Sequence, residues 1–347
     1  YIEFREENMK NITAKQIAKQ LNISEAAVSM ALHNKPGVST ATKKRILNAA
    51  QSLGYDFSKI SPNHSRNSGI IAIIFYNKTN IFNRSFFPPL INGIESELKS
   101  HGYQTALNYF HDVDDIEEQV NSLSALGYEG IILLGTEMQK EDFAPFAFLK
   151  CPIVLLDTYY PSVKMDCVVI NNMDGAMQAT NYLIKKRHSY PGYLRSTMRI
   201  NNFSEREDGF YKAVRQNGFS VSKCIVHTLP PSIDEAYTEM LEIIDAKEDL
   251  ADCYFADYDE IAIGVMRAFK DRGYRIPEDI SIIGFDNSEL SSYIDPPLTS
   301  VNVPNKYMGK LAAQRILTVL KETEYHSIKI EVNTNLIIRN SVISKNH

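Results

Sequence analysis

Residues 12–55 read ITAKQIAKQLNISEAAVSMALHNKPGVSTATKKRILNAAQSLGY, and this stretch predicts three short helices. Thr13 is placed to cap a helix in which Gln16 completes a capping box, and Ile17, Ala18 and Leu21 repeat at helical spacing. A break at Asn22-Ile23 follows, and Ser24 caps a second helix carrying Ala27, Val28, Ala31 and Leu32. Lys35-Pro36-Gly37 makes a turn, Ser39 caps a third helix and Gly54 ends it. Two helices joined by so short a break form a helix-turn-helix, which places its second helix in a DNA major groove.

Charge follows the same division. From Lys10 to Arg66 there are nine Lys or Arg against two acids, Glu25 and Asp56, a balance of +7. The chain as a whole is at −5 and residues 1–9 are at −2, so residues 67–347 carry −10. A basic head on an acidic body confines phosphate attraction to one end. A basic helix face alone is usually just solvated; its coincidence with the helix-turn-helix pattern makes DNA the expected partner.

The 347 residues, 44% of them apolar, are enough for one large core or two beside the head. No apolar run is long enough for a membrane span, and the polar N-terminus lacks a signal region. A cytoplasmic protein is expected, on the nucleoid when bound to DNA. Residues 1–9 read as a leader or expression remnant. Cys151, Cys167, Cys224 and Cys253 have no metal-like or disulfide-like spacing, so free thiols are expected, with no metal and no cofactor.

From Gly69 apolar strands alternate with amphipathic helices. Strands are expected at 70–75, 103–109, 130–134, 153–156, 253–255 and 280–285, and helices at 88–100, 116–126, 175–186, 208–217 and 260–271. Continuous apolar strands with intervening helices predict parallel sheets covered on both faces, with ligands beyond the strands' carboxyl ends. Asp157, Asp257, Asp259 and Asp286 all fall at or just past such ends. Each also suits a helix cap or turn, and Arg206, Phe86 and Phe87 suit surface or core.

Over residues 11–340 the chain resembles the lactose/galactose-repressor (LacI/GalR) family of bacterial transcription regulators. The head carries the likeness in Ile17-Ala18, Val28-Ser29, Val38-Ser39, Arg45-Ile46 and Leu53-Gly54-Tyr55. The body carries it in Phe86-Phe87, Gly93-Ile94-Glu95, Gly130-Ile131-Ile132, Asn172 with Gly175, and Arg206 with Gly209-Phe210. Ala262 with Gly264, Ile276-Pro277-Glu278-Asp279-Ile280-Ser281, Gly284-Phe285-Asp286 and Pro296-Pro297-Leu298-Thr299 complete it.

The resemblance implies an all-α helix-turn-helix head and an α/β body like a periplasmic binding protein, made of two doubly wound parallel-sheet lobes. It implies a homodimer on double-stranded operator DNA, with a small polar effector, a carbohydrate or its derivative, held between the lobes. The implied divisions are a head at 10–56, a hinge linker at 57–67 and a body at 68–347. Within the body the N-terminal lobe takes about 68–169 and 303–331, and the C-terminal lobe about 170–302 and 332–347.

Carried over, the DNA-facing set is Thr13, Ser24, Glu25, Ala26, Ala27, Ser29, Met30, His33, Val38, Ser39 and Tyr55. Where Met30 stands the family often has Arg, which can read guanine through two hydrogen bonds; Met offers only apolar contact. Glu25 suits either a cytosine amino group or the positive helix N-terminus. In the linker Phe57 replaces a usual proline, Pro62 falls inside the usual hinge helix, and His64 stands in place of the usual wedge leucine. These departures predict a weak or absent hinge helix and less DNA bending.

The implied effector set is Phe86 or Phe87 as the stacking aromatic, with Asp157, Arg206, Tyr258, Asp259 and Asp286; Asn172 lies near a lobe crossing. Tyr258 stands where many relatives have Asn, which shrinks the pocket. The rival readings are a solute-binding protein and an enzyme on the same scaffold. Against an enzyme, no GxGxxG follows the first strand and no Walker loop, GxSxG or HExxH is present. Against a transport protein stands the basic head.

Overall fold

The computed structural model describes residues 12–32, 37–53, 55, 69–79, 85–111, 116–322 and 324–345. The expectations for His33, Gly54, Asp56 and the linker residues Phe57, Pro62 and His64 lie outside them. Two compact units are formed, Tyr1–Ser68 and Gly69–His347.

In the first unit, α1 is Ala14–Leu21, α2 Glu25–Leu32 and α3 Thr40–Ser52. Gln16 Oε1 accepts from the Thr13 backbone N–H at 2.7 Å and from its hydroxyl at 3.0 Å, so the glutamine closes the capping box. Asn22, left-handed at φ 53°, ends α1. Ser24 Oγ accepts from Ala27 N at 3.1 Å, and Ser39 Oγ from Thr42 N at 3.2 Å, each satisfying an amide that its helix cannot. Ile17, Ala18, Val28, Ala31, Leu32, Ile46 and Ala50 bury one face of each helix in a single small core.

The second unit holds two six-stranded sheets among the described residues. In the first, β1 is Ile70–Asn77, β2 Gln104–His111, β3 Gly130–Leu134, β4 Ile153–Leu156 and β5 Asp166–Ile170, joined by a late strand, β11, at Lys329–Val332. Their order is β11-β5-β4-β3-β1-β2, parallel throughout. In the second, β6 is Gly192–Ser196, β7 Val226–Leu229, β8 Cys253–Ala256, β9 Ser281–Asp286, β10 Thr299–Asn302 and β12 Asn335–Ile337. Their order is β12-β10-β9-β8-β6-β7, with only β12 antiparallel. β3, β4 and β8 are buried along their whole length, as strands covered on both faces must be.

The chain changes sheet three times: at Asn171, at Val303-Pro304 and at Asn333-Thr334. The first and third passages are tied to each other. Asn171 donates through Nδ2 to Asn333 Oδ1 at 3.2 Å, and through its backbone to Val332 O at 2.9 Å.

The helices covering the sheets include α4 (Phe87–Ser100), α5 (Ile116–Ser124), α6 (Asn172–Arg187), α7 (Asn201–Gln216), α8 (Ile233–Asp245), α9 (Asp259–Asp271), α10 (Glu289–Tyr293) and α11 (Asn305–Val319). Two differ from expectation in a way that matters for the site. α6 begins at Asn172 rather than 175, and α7 at Asn201 rather than near 208, so Arg206 lies inside a helix.

α4 and α11 cross at paired glycines. A Cβ on Gly309 would lie 2.0 Å from Leu90 O, and one on Gly93 would lie 2.0 Å from Lys306 O. Backbone cannot yield as a side chain does, so Gly309→Ala is expected to force the helices apart and cost about 1–3 kcal/mol or more. A lowered urea midpoint at unchanged slope is the expected result; an unaltered midpoint would show that the crossing absorbs a methyl group.

Candidate functional site

On the head, α2 presents Glu25, Ala26 and Ser29 exposed along one side and buries Val28, Ala31 and Leu32 on the other. Ala27 and Met30 are half-buried. The Met30 sulfur sits 3.0 Å from where a Cβ on Gly37 would be, so this side chain lies over the turn at Gly37, which has φ 123°. Thr13, Ser24 and Ser39 are exposed at helix starts, with their hydroxyls engaged in or beside the caps. Val38 and Tyr55 are half-buried against the head core. The exposed side of α2 therefore carries one acid and two small residues, and Lys15 and Lys19 on α1 and Lys44 and Arg45 on α3 are also exposed.

In the body, the carboxyl ends of the two sheets face a common cavity. Phe86, Phe87, Thr136, Asp157 and Ile170 line it from the first lobe, and Ile200, Asn202, Phe203, Arg206, Tyr258 and Asp286 from the second. Its volume is ≈ 30 Å³, room for about one or two waters. Of the sequence-derived effector set, Phe86, Phe87, Asp157, Arg206, Tyr258 and Asp286 meet here; Asp259 does not.

Asp157 follows β4 with φ 64° and is buried. One carboxylate oxygen accepts from the Thr136 hydroxyl at 2.7 Å. The other accepts from Asn202 Nδ2 at 2.9 Å, across the cleft. Burial pushes its pKa up to about 6, against the opposing pull of the Thr136 and Asn202 hydrogen bonds and the Arg206 charge. A second bond spans the cleft mouth, from Gln139 Nε2 to Arg199 O at 3.1 Å.

Arg206 is buried, and each of its three guanidinium nitrogens donates. Nε reaches Asn172 Oδ1 at 2.9 Å, Nη1 reaches the Asp257 carbonyl at 2.5 Å, and Nη2 reaches Asp286 Oδ1 at 3.3 Å. Its plane lies over Phe285, 3.7 Å from the ring centroid. Asn172 is therefore structural: it passes from Arg206 to Glu205 Oε2 at 2.9 Å, at the first residue of α6.

Tyr258 stacks on Phe203 with centroids 5.4 Å apart and planes 6° from parallel, and its hydroxyl donates to Pro231 O. This ring fills the second lobe's end of the cavity. Asp257 and Asp259 are both buried behind the cavity wall. Asp257 accepts from Ser196 N at 2.6 Å and from the Tyr193 hydroxyl; Asp259 accepts from the Ser300 hydroxyl and Ser288 N, each at 2.6 Å. Burial pushes both carboxyls up to about 7.

The sequence reading did not pick out Thr136, Ile170, Ile200, Asn202 or Phe203. A signal existed for two of them. With α7 begun at Asn201, Asn202 and Phe203 lie four and three residues before Arg206, on its face of the helix. Among the described residues no group of His, Cys, Asp and Glu is placed to hold a metal, and no helix is long and apolar enough to cross a membrane. Cys151, Cys167, Cys224 and Cys253 are all free thiols.

Residues 13–57 match the profile of bacterial regulatory proteins of the lacI family, and residues 180–342 that of a periplasmic binding protein-like domain. The "Probable HTH-type transcriptional repressor ExuR" of Bacillus subtilis (strain 168) is 30% identical over 95% of this chain and 98% of its own length. The chain belongs to the LacI family. It is a helix-turn-helix transcriptional regulator of that family, whose relatives are repressors and not enzymes. Two solved neighbours carry sugars. The regulator CelR in complex with cellobiose superposes with a TM-score of 0.70 at 24% identity, covering 95% of this chain and 100% of its own. A LacI family regulator from Enterococcus faecalis V583 with bound ribose does so at 0.68 and 25% identity, covering 80% and 100%. The helix-turn-helix and the two parallel-sheet lobes are thus the LacI-family architecture.

Proposed function

We propose that this LacI-family protein is a repressor that binds a near-palindromic operator as a homodimer and changes its operator affinity when a small polyhydroxylated ligand enters the cleft. Its DNA target puts it on the nucleoid of the cytoplasm. The observation that carries the reading is the convergence of Asp157, Arg206 and Asp286 with Phe86 and Phe87 where two parallel sheets face each other. Carboxylates and a guanidinium suit hydroxyls because every buried hydroxyl must find a partner, and aromatic faces suit the apolar side of a sugar ring. The sugars held by the CelR and Enterococcus faecalis neighbours point to the same class.

The Asp157–Asn202 bond supplies a mechanism. The lobes meet through groups that a ligand also needs, so ligand entry exchanges one set of cross-cleft bonds for another and biases the lobe arrangement. That bias reaches the operator as a coupling free energy, and an inducer and operator weaken each other reciprocally.

The test selects operators from random DNA with the full chain, then follows anisotropy of the selected duplex against a panel of pentoses, hexoses, disaccharides and sugar acids. A sugar that shifts operator affinity at least five-fold is the expected result. Selected operators that no member of the panel affects would remove the sugar reading and leave the DNA reading intact. Within the same panel Tyr258→Asn is expected to move the preference toward larger sugars, since it removes the ring that fills the cavity's end. The same rank order of ribose and cellobiose in thermal shift for both proteins would show that Tyr258 does not set ligand size.

A further inference from the structure

Arg206 and Asp286 carry charge into the cavity, and the groups that hold them in place lie outside it. Arg206 Nη1 rests on the main-chain carbonyl of Asp257 at 2.5 Å. That carbonyl is held in turn by its own side chain, since the Asp257 carboxylate is clasped by Ser196 N at 2.6 Å and by the Tyr193 hydroxyl, both on β6. The Tyr193 ring is itself fixed, stacked 5.0 Å from Phe210 and 5.7 Å from Phe255.

Asp286 sits on a turn that side chains resist. Its φ is 97°, outside the left-handed region that Asn287, at 52°, adopts as asparagines readily do, so the Asp286 backbone depends on its surroundings. The Asn287 side chain is held by Arg339 Nη2 at 2.6 Å and by Asn302 Oδ1 at 3.0 Å, and Asp259 holds the backbone beside it. Its Oδ2 accepts from Ser288 N and its Oδ1 from the Ser300 hydroxyl, whose oxygen in turn accepts from Asn287 N at 3.0 Å. Residue 284 on β9 is a glycine at the point where a Cβ would lie 2.1 Å from Asp259 Oδ1.

We propose that Asp257 and Asp259 are the positioning residues of the ligand cleft, Asp257 acting through the Arg206 guanidinium and Asp259 through the Asp286 turn. The proposal rests on the reading of the cleft as a ligand site. Helix capping does not account for either residue. Asp259 opens α9, yet both its oxygens are spent on the loop after β9 and on β10, while Asp257 binds β6. A buried carboxylate carries a desolvation cost that an apolar residue avoids, so fully clasped ones call for a local reason.

The charges of Arg206 and Glu207 on α7 bear on Asp257, which Tyr193 on β6 reaches as a neutral donor, and the charge of Asp286 bears on Asp259. Both carboxyls titrate at about 7. A carboxylate accepts both clasping hydrogen bonds, whereas a protonated carboxyl must donate at one oxygen. Each clasp therefore loosens as pH falls through 7, and Arg206 and the Asp286 turn loosen with it.

The test needs no ligand. In the full chain labelled with 13C,15N-arginine, an Arg206→Lys spectrum assigns the Arg206 side chain. Its Nη signals are expected to be resolved by hindered rotation and to shift with a midpoint near pH 7. Asp257→Asn, which does not titrate and like the protonated carboxyl must donate at one position, should hold the signals at their low-pH positions throughout and abolish that midpoint. Asp257→Ala should merge them, and Asp259→Ala should speed hydrogen exchange at Asn287 and Ser288 at least ten-fold. Arg206 signals in Asp257→Ala that match the unsubstituted protein, or unchanged exchange in Asp259→Ala, overturn the proposal. If Asp257→Ala does not fold, the midpoint in Asp257→Asn decides, and its persistence overturns the proposal. Ribose and cellobiose are then added to the unsubstituted protein. Failure of every sugar to raise its melting temperature counts against the sugar reading alone, because the arginine spectra were judged without ligand.

Discussion

Arg206→Met is expected to weaken ligand binding by roughly 30-fold to several thousand-fold, the range that follows from truncating one partner of a buried, hydrogen-bonded charge pair. Methionine keeps the unbranched stem, so packing over Phe285 is largely preserved while three donors vanish together. Asn172, the Asp257 carbonyl and Asp286 each lose a donor. The loss should be confined to the ligand response. Operator affinity without ligand should stay within about two- to three-fold, because the head folds around its own core. Calorimetry against the sugar identified by the anisotropy panel, with operator anisotropy beside it, measures both. Ligand affinity within five-fold of the unsubstituted protein would remove Arg206 from the site.

Stability should fall as pH rises from about 5 to about 8. Asp157, Asp257 and Asp259 are pushed up to about 6, 7 and 7 from an ordinary 3.8, in each case chiefly by burial. The sign follows from proton counting. Between the unfolded and folded values the native state holds protons that the unfolded chain has released, so raising pH favours unfolding. Their contribution is fully present below about 4 and is lost as pH climbs through 6 to 7. Each group can add at most about 1.4 kcal/mol per pH unit while it titrates. His227 works the other way below about 6.5, because burial lowers its pKa and the fold disfavours its charged form. Asp279, held down at about 2 by its hydrogen bonds to Arg275, acts only in stronger acid. Melting temperatures should therefore drop across the window, and Asp257→Asn and Asp259→Asn should each flatten the drop. A profile that rises with pH, or one that neither substitution changes, would show that these carboxyls ionise freely in the fold.

The head was legible because its signals are local. Thr13 with Gln16, Ser24 and Ser39 mark helix starts, and Ile17, Ala18, Val28 and Ala31 mark one buried face. The body was legible where strands are purely apolar, so β3 and β4 fell at their expected bounds. It was less so where elements mix polar residues into short spans. β6 carries Arg195 inside Gly192–Ser196, β7 is only Val226–Leu229, and β12 pairs antiparallel over Asn335–Ile337. The start of α7 was missed for a related reason. Ile200 stands at the cap position without a capping side chain, and Asn201–Glu207 is polar but for Phe203. That miss hid Asn202, the residue that reaches Asp157 from the opposite lobe. Asp257, Asp259 and Asp286 looked alike in sequence because a strand end is a local property. Which of them faces the cavity depends on partners distant in the chain, such as Ser196 and Ser300.

The threefold passage between sheets also bears on how the protein is made. β11 and α11, which complete the first lobe, lie beyond the whole of β6–β10, so the ribosome finishes β5 long before it supplies their residues. At roughly 5–20 residues per second the wait is on the order of 8–30 s. Throughout it the faces of β3, β4 and β5 that α11 will cover stand open to solvent beside a nascent second lobe with a similar sheet. Slowing the C-terminal third of translation is therefore expected to make the nascent first lobe bind chaperones longer, which co-translational pull-down would read.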